Sequence, residues 1–170
     1  VTVSGSGNFH ASQKRPFTFG GSITNNAPAA NFSTDNGAVT LTGAGKSLNG
    51  NLSFASGITI NGSYTNNGIF TTTGNNSDIT GIGSLTQAAN SILNVGGGIG
   101  NLGSLDASAA GNTVNYNANG AQTIFNPSAG VYWNLVLSNS SKTLSSSLKV
   151  TFLSDANVSQ ARHGSRSNTA

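Results

Sequence analysis

At 170 residues the chain is expected to form one domain with a buried core. Charged residues make up only 6%, Cys, Met and Glu are absent, and Gly, Ser, Thr and Asn supply most of the polarity, which excludes disulfides, zinc-thiolate sites and thiol chemistry and is unlike a disordered chain of high net charge. The net charge of +3 rests on cations near the two ends, with Lys46 alone between Arg15 and Lys142, so no basic stripe is available for nucleic acid, and no apolar run approaches the ~20 residues of a membrane-spanning helix.

The opening Val1-Thr2-Val3-Ser4-Gly5 reads as strand and turn, not as a signal peptide, as expected of a mature chain or of a fragment cut from a longer array. Residues 1–16, with His10, Lys14, Arg15 and Pro16, are expected to form an N-terminal cap. From residue 17 apolar and polar residues alternate, the period that places alternate side chains on opposite faces of a strand. The phrase Phe17-Thr18-Phe19-Gly20-Gly21-Ser22-Ile23-Thr24-Asn25-Asn26 returns as Ile58-Thr59-Ile60-Asn61-Gly62-Ser63-Tyr64-Thr65-Asn66-Asn67. A looser copy starts at Leu93 and runs to Asn101, and a fourth start lies at Leu135, giving spacings of 41, 35 and 42 residues. A second phrase, Thr42-Gly43-Ala44-Gly45-Lys46-Ser47-Leu48, has echoes at residues 80–85 and 117–124. The one stretch with helical character, residues 85–90, is too short to matter.

Two architectures compete over these strands. Asn36-Gly37, Asn49-Gly50, Asn61-Gly62, Asn67-Gly68 and Asn119-Gly120 are turn dipeptides, and Asn-Gly between strands favours antiparallel hairpins and a β-sandwich. The repeat favours an all-β, right-handed parallel β-solenoid, because one strand-turn unit cannot bury its apolar side without a neighbour stacked on it. A spacing of 35–42 residues fits one or two solenoid turns. Asn25-Asn26, Asn66-Asn67 and Asn101 would then stack into hydrogen-bonded ladders at the bends, a register that a sandwich leaves without a reason. The expected organisation is repeats over residues 17–153, followed by a polar tail or cap over 154–170, where alternation is lost.

Toward the C-terminus, Val114-Asn115-Tyr116, Gly120-Ala121-Gln122-Thr123-Ile124, Tyr132-Trp133-Asn134-Leu135-Val136-Leu137 and Lys142-Thr143-Leu144 follow one another. This succession resembles the β-solenoid repeats of large secreted and cell-surface bacterial proteins, including adhesins, over roughly residues 17–153. The resemblance implies a right-handed parallel β-helix, extracellular or cell-surface placement, and an adhesive or structural role. It carries over no catalytic residue.

Chemistry-bearing motifs are sparse. Gly98-Ile99-Gly100-Asn101-Leu102-Gly103 matches a dinucleotide fingerprint, yet neither the helix nor the later acidic residue that this site needs is present. Gly45-Lys46-Ser47 lacks the opening glycine of a phosphate loop, since Thr40 stands there. The four acids, Asp35, Asp78, Asp106 and Asp155, fall in different repeat phases, whereas a glycosidase needs two in one cleft, so they read as turn and capping residues. His10 and His163 lie outside the repeats, which argues against a metal pair or a triad. Gly103-Ser104-Leu105-Asp106 supplies too few carboxylates for calcium. No catalytic, metal or cofactor residue is therefore assigned, and no enzyme activity is expected.

The Thr40/Thr42 and Thr71/Thr73 pairs suggest an ice-binding surface but do not recur in register. Tyr64, Tyr116, Tyr132 and Trp133 are the candidate ligand-contact aromatics. Tyr132 and Trp133 are adjacent, so a strand would send one inward and the other outward. The expected function is an adhesin shaft or filament subunit that self-associates end to end or meets surface glycans or host and cell-surface proteins, without membrane insertion. A carbohydrate-binding module and a polysaccharide-degrading β-helix are the alternatives.

Overall fold

A computed structural model describes residues 1–11, 14–73, 78–144 and 146–155. Among them the chain forms strands and turns, with a single 3-10 turn at Ala29–Asn31 and no α-helix. The strand pairs are parallel throughout, including the pairs at the two ends, Thr2–Val3 with Ile23–Asn25 and Val131–Leu137 with Lys149–Asp155. The sandwich alternative is thereby excluded, and the fold is a parallel β-solenoid of about seven turns.

Each turn crosses three faces. The first carries Ile23–Asn25, the start of Lys46–Phe54, Ser63–Asn66, Ser84–Gln87 and Ser104–Asp106. The second carries the end of Lys46–Phe54, then Ile69–Thr72, Ile92–Val95, Thr113–Tyr116 and Val131–Leu137. The third carries Phe17–Phe19, Val39–Leu41, Ile58–Ile60, Asp78–Thr80 and Gly98–Ile99, and contacts run on from there to the pair Gln122–Ile124 and Lys142–Leu144. The segment expected as an N-terminal cap contributes Thr2–Val3 and Phe9–His10, which pair with Ile23–Asn25 and Phe32–Ser33. The expected tail begins inside the strand Lys149–Asp155, and residues 156–170 lie outside the described residues.

The register explains the repeat and corrects part of it. Phe17 pairs with Val39, and Val39 with Ile58, so the 41-residue interval spans two turns. Leu93, Val114 and Leu135 form another such pair of steps, but on the second face. Leu93 is thus not stacked above Ile58, which pairs with Ile79. The 35-residue interval joined two faces that share an apolar-polar-apolar pattern because both bury alternate residues. Likewise, residues 42–48 and 80–85 both pass from the third face to the first, whereas 117–124 passes from the second to the third. The stretch with helical character is the strand Ser84–Gln87.

The Asn pairs do mark equivalent bends. Asn25 and Asn66 are both buried where the first face turns into the second. Each accepts the N–H two residues on, from Ala27 at 3.2 Å and from Gly68 at 3.1 Å. Each donates Nδ2 to a carbonyl, Asn51 O at 2.8 Å and Ile92 O at 2.9 Å. A short ladder runs outside them, with Asn67 Nδ2 donating to Asn49 Oδ1 at 2.9 Å and Asn49 Nδ2 to Thr24 Oγ1 at 3.0 Å. Asn101 is exposed between the third and first faces and does not join them. Asn49-Gly50 does not end a strand either: it bends the nine-residue Lys46–Phe54 in its middle, where Gly50 has φ 77°.

Inside, equivalent positions stack into apolar columns. Leu52, Phe70, Leu93, Val114 and Leu135 follow one another on the second face, and Val39, Ile58, Ile79 and Ile99 on the third. All are buried, and burying a side chain of this kind contributes ~1.5–3 kcal/mol. Phe9, Phe32, Phe54 and Phe70 extend the stack at the N-terminal end, with ring centroids 5.2, 5.6 and 5.4 Å apart in succession.

Candidate functional site

The core absorbs most of the residues expected to meet ligands. Tyr64, Tyr116 and Tyr132 are 2%, 0% and 0% exposed, so their rings offer no face to an external sugar. Their strands turn them inward, and their hydroxyls satisfy backbone groups at the bends. Tyr64 Oη donates to Phe19 O at 2.8 Å and accepts the Gly43 N–H at 3.0 Å. Tyr116 and Tyr132 form a closed relay with one residue: the Phe125 N–H donates to Tyr116 Oη at 3.1 Å, the two hydroxyls lie 3.1 Å apart, and Tyr132 Oη donates to Phe125 O at 2.7 Å. That fixes the Tyr116 proton on the bond to Tyr132. Burial pushes the Tyr116 hydroxyl up to about 12, and burial followed by the proximity of Tyr116 raises Tyr132 further. Trp133, the next residue, points outward and is half-buried.

The acids stay apart. Asp78 pairs with Gly98 on the third face and Asp106 with Thr86 on the first. Asp106 Oδ1 accepts the Ser108 N–H at 3.0 Å and the Ser108 hydroxyl at 2.7 Å, a turn-capping role. The side chains of Asp78 and Asp155, and the whole of His163, lie outside the described residues. Thr40 belongs to a single outward column, Thr18, Thr40, Thr59 and Thr80, in which the Thr59 and Thr80 hydroxyls are 3.4 Å apart. The position beside it, held by Thr42, is Gly20 in the turn before and Asn61 in the turn after. Paired threonine ranks are therefore not built on this face.

One concavity was not legible as a site. Thr24 and Asn49 are register partners 25 residues apart, while Lys46 and Tyr64 are 18 apart. The surplus in the longer turn forms the 3-10 turn Ala29–Asn31, which stands off the second face. It is held by Asn25 Nδ2 on Pro28 O at 3.3 Å and by Asn31 Nδ2 on Gly7 O at 3.0 Å. Below it the chain turns again at residues 34–37, where Asp35 and Asn36 adopt φ of 47° and 56° and the Gly37 N–H closes on Thr34 O at 2.7 Å. The two projections border a cavity of about 350 Å³. His10, Ser33 and Ser53, from three successive turns, line it together with Asp35, Ala29 and Ala30. His10 and Asp35 are thus brought together although the sequence places them 25 residues apart in unrelated phrases. The legible signal was the unequal turn length, which requires the register to be known first.

A nucleophile–base pair needs a hydrogen bond, and among the described residues none links His10 to Ser33, Ser53 or Asp35; Ser33 Oγ instead accepts the Asp35 N–H at 3.2 Å. Among the described residues no group of three metal-ligating side chains occurs. Comparison with protein-family models, curated proteins and solved structures returns no match.

Proposed function

We propose that this chain is a length of shaft from an extracellular bacterial adhesin, or the subunit of an extracellular filament. The observation that carries the reading is the in-register stacking of about seven parallel turns around one continuous apolar core. A rod of this kind lengthens turn by turn, each turn offering parallel edges to the next, within one longer chain or between copies. The lateral surface adds support, since it is rich in Ser, Thr and Asn with few ionisable groups, which suits passive display. The likeness to bacterial surface repeats noted above points the same way. The carbohydrate-binding alternative loses its aromatic platform with the burial of the three tyrosines.

Negative-stain electron microscopy of the purified chain separates the two forms of the proposal: rods that lengthen with concentration identify a filament subunit, and short particles of fixed length a shaft segment. Antibody labelling of intact and permeabilised source cells tests the placement. Label on intact cells is expected; label only after permeabilisation overturns the extracellular reading.

A further inference from the structure

We infer that the cavity beside the Ala29–Asn31 turn binds one or two sugar rings of a neutral glycan, a role that goes beyond the shaft and does not depend on it. The place is the first argument. Insertions in a solenoid project on one side of otherwise uniform turns and commonly build its binding face, and this insertion is anchored by the two side-chain hydrogen bonds from Asn25 and Asn31 described above. At about 350 Å³ the cavity lies near the lower end of the ~300–1,000 Å³ range of small-molecule sites, enough for one or two rings.

The chemistry of the lining narrows the ligand. Ser33 and Ser53 present hydroxyls, His10 an imidazole and Asp35 a carboxylate, set against Ala29, Ala30 and Ala55 methyls. Neutral imidazole and hydroxyl groups both donate and accept, while ionised Asp35 only accepts, from up to two donors at once. Vicinal hydroxyls of a sugar satisfy such a set, and the apolar edge of the ring suits the alanines. An anion meets the Asp35 charge at the mouth, and a metal ion finds only one carboxylate, so both are disfavoured.

Saturation-transfer NMR tests this with the methyl glycosides of glucose, galactose, mannose and N-acetylglucosamine, and with inorganic phosphate as the anionic probe. At least one glycoside is expected to receive saturation. Asp35→Asn, which keeps a residue tolerant of positive φ, and Ser53→Ala are each expected to weaken binding by about tenfold, as loss of one charge-assisted or well-placed hydrogen bond does. Asp106→Asn, on another face, should leave affinity unchanged and serves as the control. Silence from all four glycosides, equal binding by the Asp35→Asn and Ser53→Ala variants, or binding of phosphate in preference to the sugars overturns the inference. Since the readout needs only soluble chain, a failure here is distinct from a failure of the rod or surface-labelling experiments.

Discussion

Tyr116 and Tyr132 show how this chain uses polar atoms inside a stacked core. A bend breaks the backbone ladder, and the N–H and C=O of Phe125 find partners in the two phenols instead. Leaving either group unpaired would cost ~1–3 kcal/mol, so the aromatic positions are constrained by hydroxyls as well as by ring volume. Buried Gln122 has the same task nearby, donating to Val95 O and Gly97 O at 2.9 and 2.7 Å and accepting the Ala118 N–H at 3.0 Å. The relay carries a pH signature. Phenols ionise near 10 in the unfolded chain, while burial holds Tyr116 up to about 12 and Tyr132 above it in the fold. Between pH 10 and about 12 the unfolded state therefore loses protons that the folded state keeps, and stability must fall as pH rises. Below pH 10 these two groups add no pH dependence. Denaturant midpoints measured across this range should show the fall, with phenolate absorbance from the pair appearing only as the chain unfolds; early ionisation in the folded state would contradict the buried relay.

At the scale of the element, strands are simple and bends are demanding. A bend between the third and first faces brings backbones of successive turns so close that a side chain has no room. A Cβ on Gly62 would lie 1.9 Å from Gly43 O, and one on Gly83 would lie 2.0 Å from Gly62 O. These glycines are needed for close approach, which alternation along a strand cannot reveal. Gly62→Ala is expected to destabilise by about 1–3 kcal/mol through forced backbone displacement. Gly120→Ala, with nothing within 4 Å of the added atom, should stay within about 0.5 kcal/mol of the parent. Thermal melts of the two variants check this, and equal melting temperatures would remove the close-approach account. The Asn25 and Asn66 bends were readable because the side chain itself turns the chain; the glycine bends are defined by a neighbour one turn away.

For the whole molecule, stacking makes each turn depend chiefly on the turns on either side. The columns on the second and third faces pass contact from turn to turn, so perturbations should couple locally and not along the rod. Phe54 and Phe70 stand 5.4 Å apart with rings nearly perpendicular. Their alanine variants should each lose ~3–5 kcal/mol, with an interaction energy of about 0.5–3 kcal/mol in a double-mutant cycle. Val39 and Leu135 lie several turns apart, and their alanine variants should add within about 0.5 kcal/mol. Strong coupling between that distant pair, measured by urea unfolding, would mean the rod responds as one body.

Local chemistry decided much of this protein. Alternating apolar residues determined strands with one buried side, the scarcity of ionisable groups kept its carboxylates dispersed, and the paired asparagines marked a bend that recurs in the structure. The solenoid itself followed because short strands with a recurrent phrase bury a core only by stacking. Tertiary structure alone decided which face each phrase occupies: Phe17 and Ile58 share a column while Leu93 sits elsewhere, since all three faces obey the same alternation. It alone sent Tyr132 inward and Trp133 outward, the adjacent pair being symmetric until a core exists on one side. It alone placed His10, Ser33, Ser53 and Asp35 around one cavity, because what meets across turns depends on the number of residues in each turn, and that number becomes meaningful only once the coils are laid on one another.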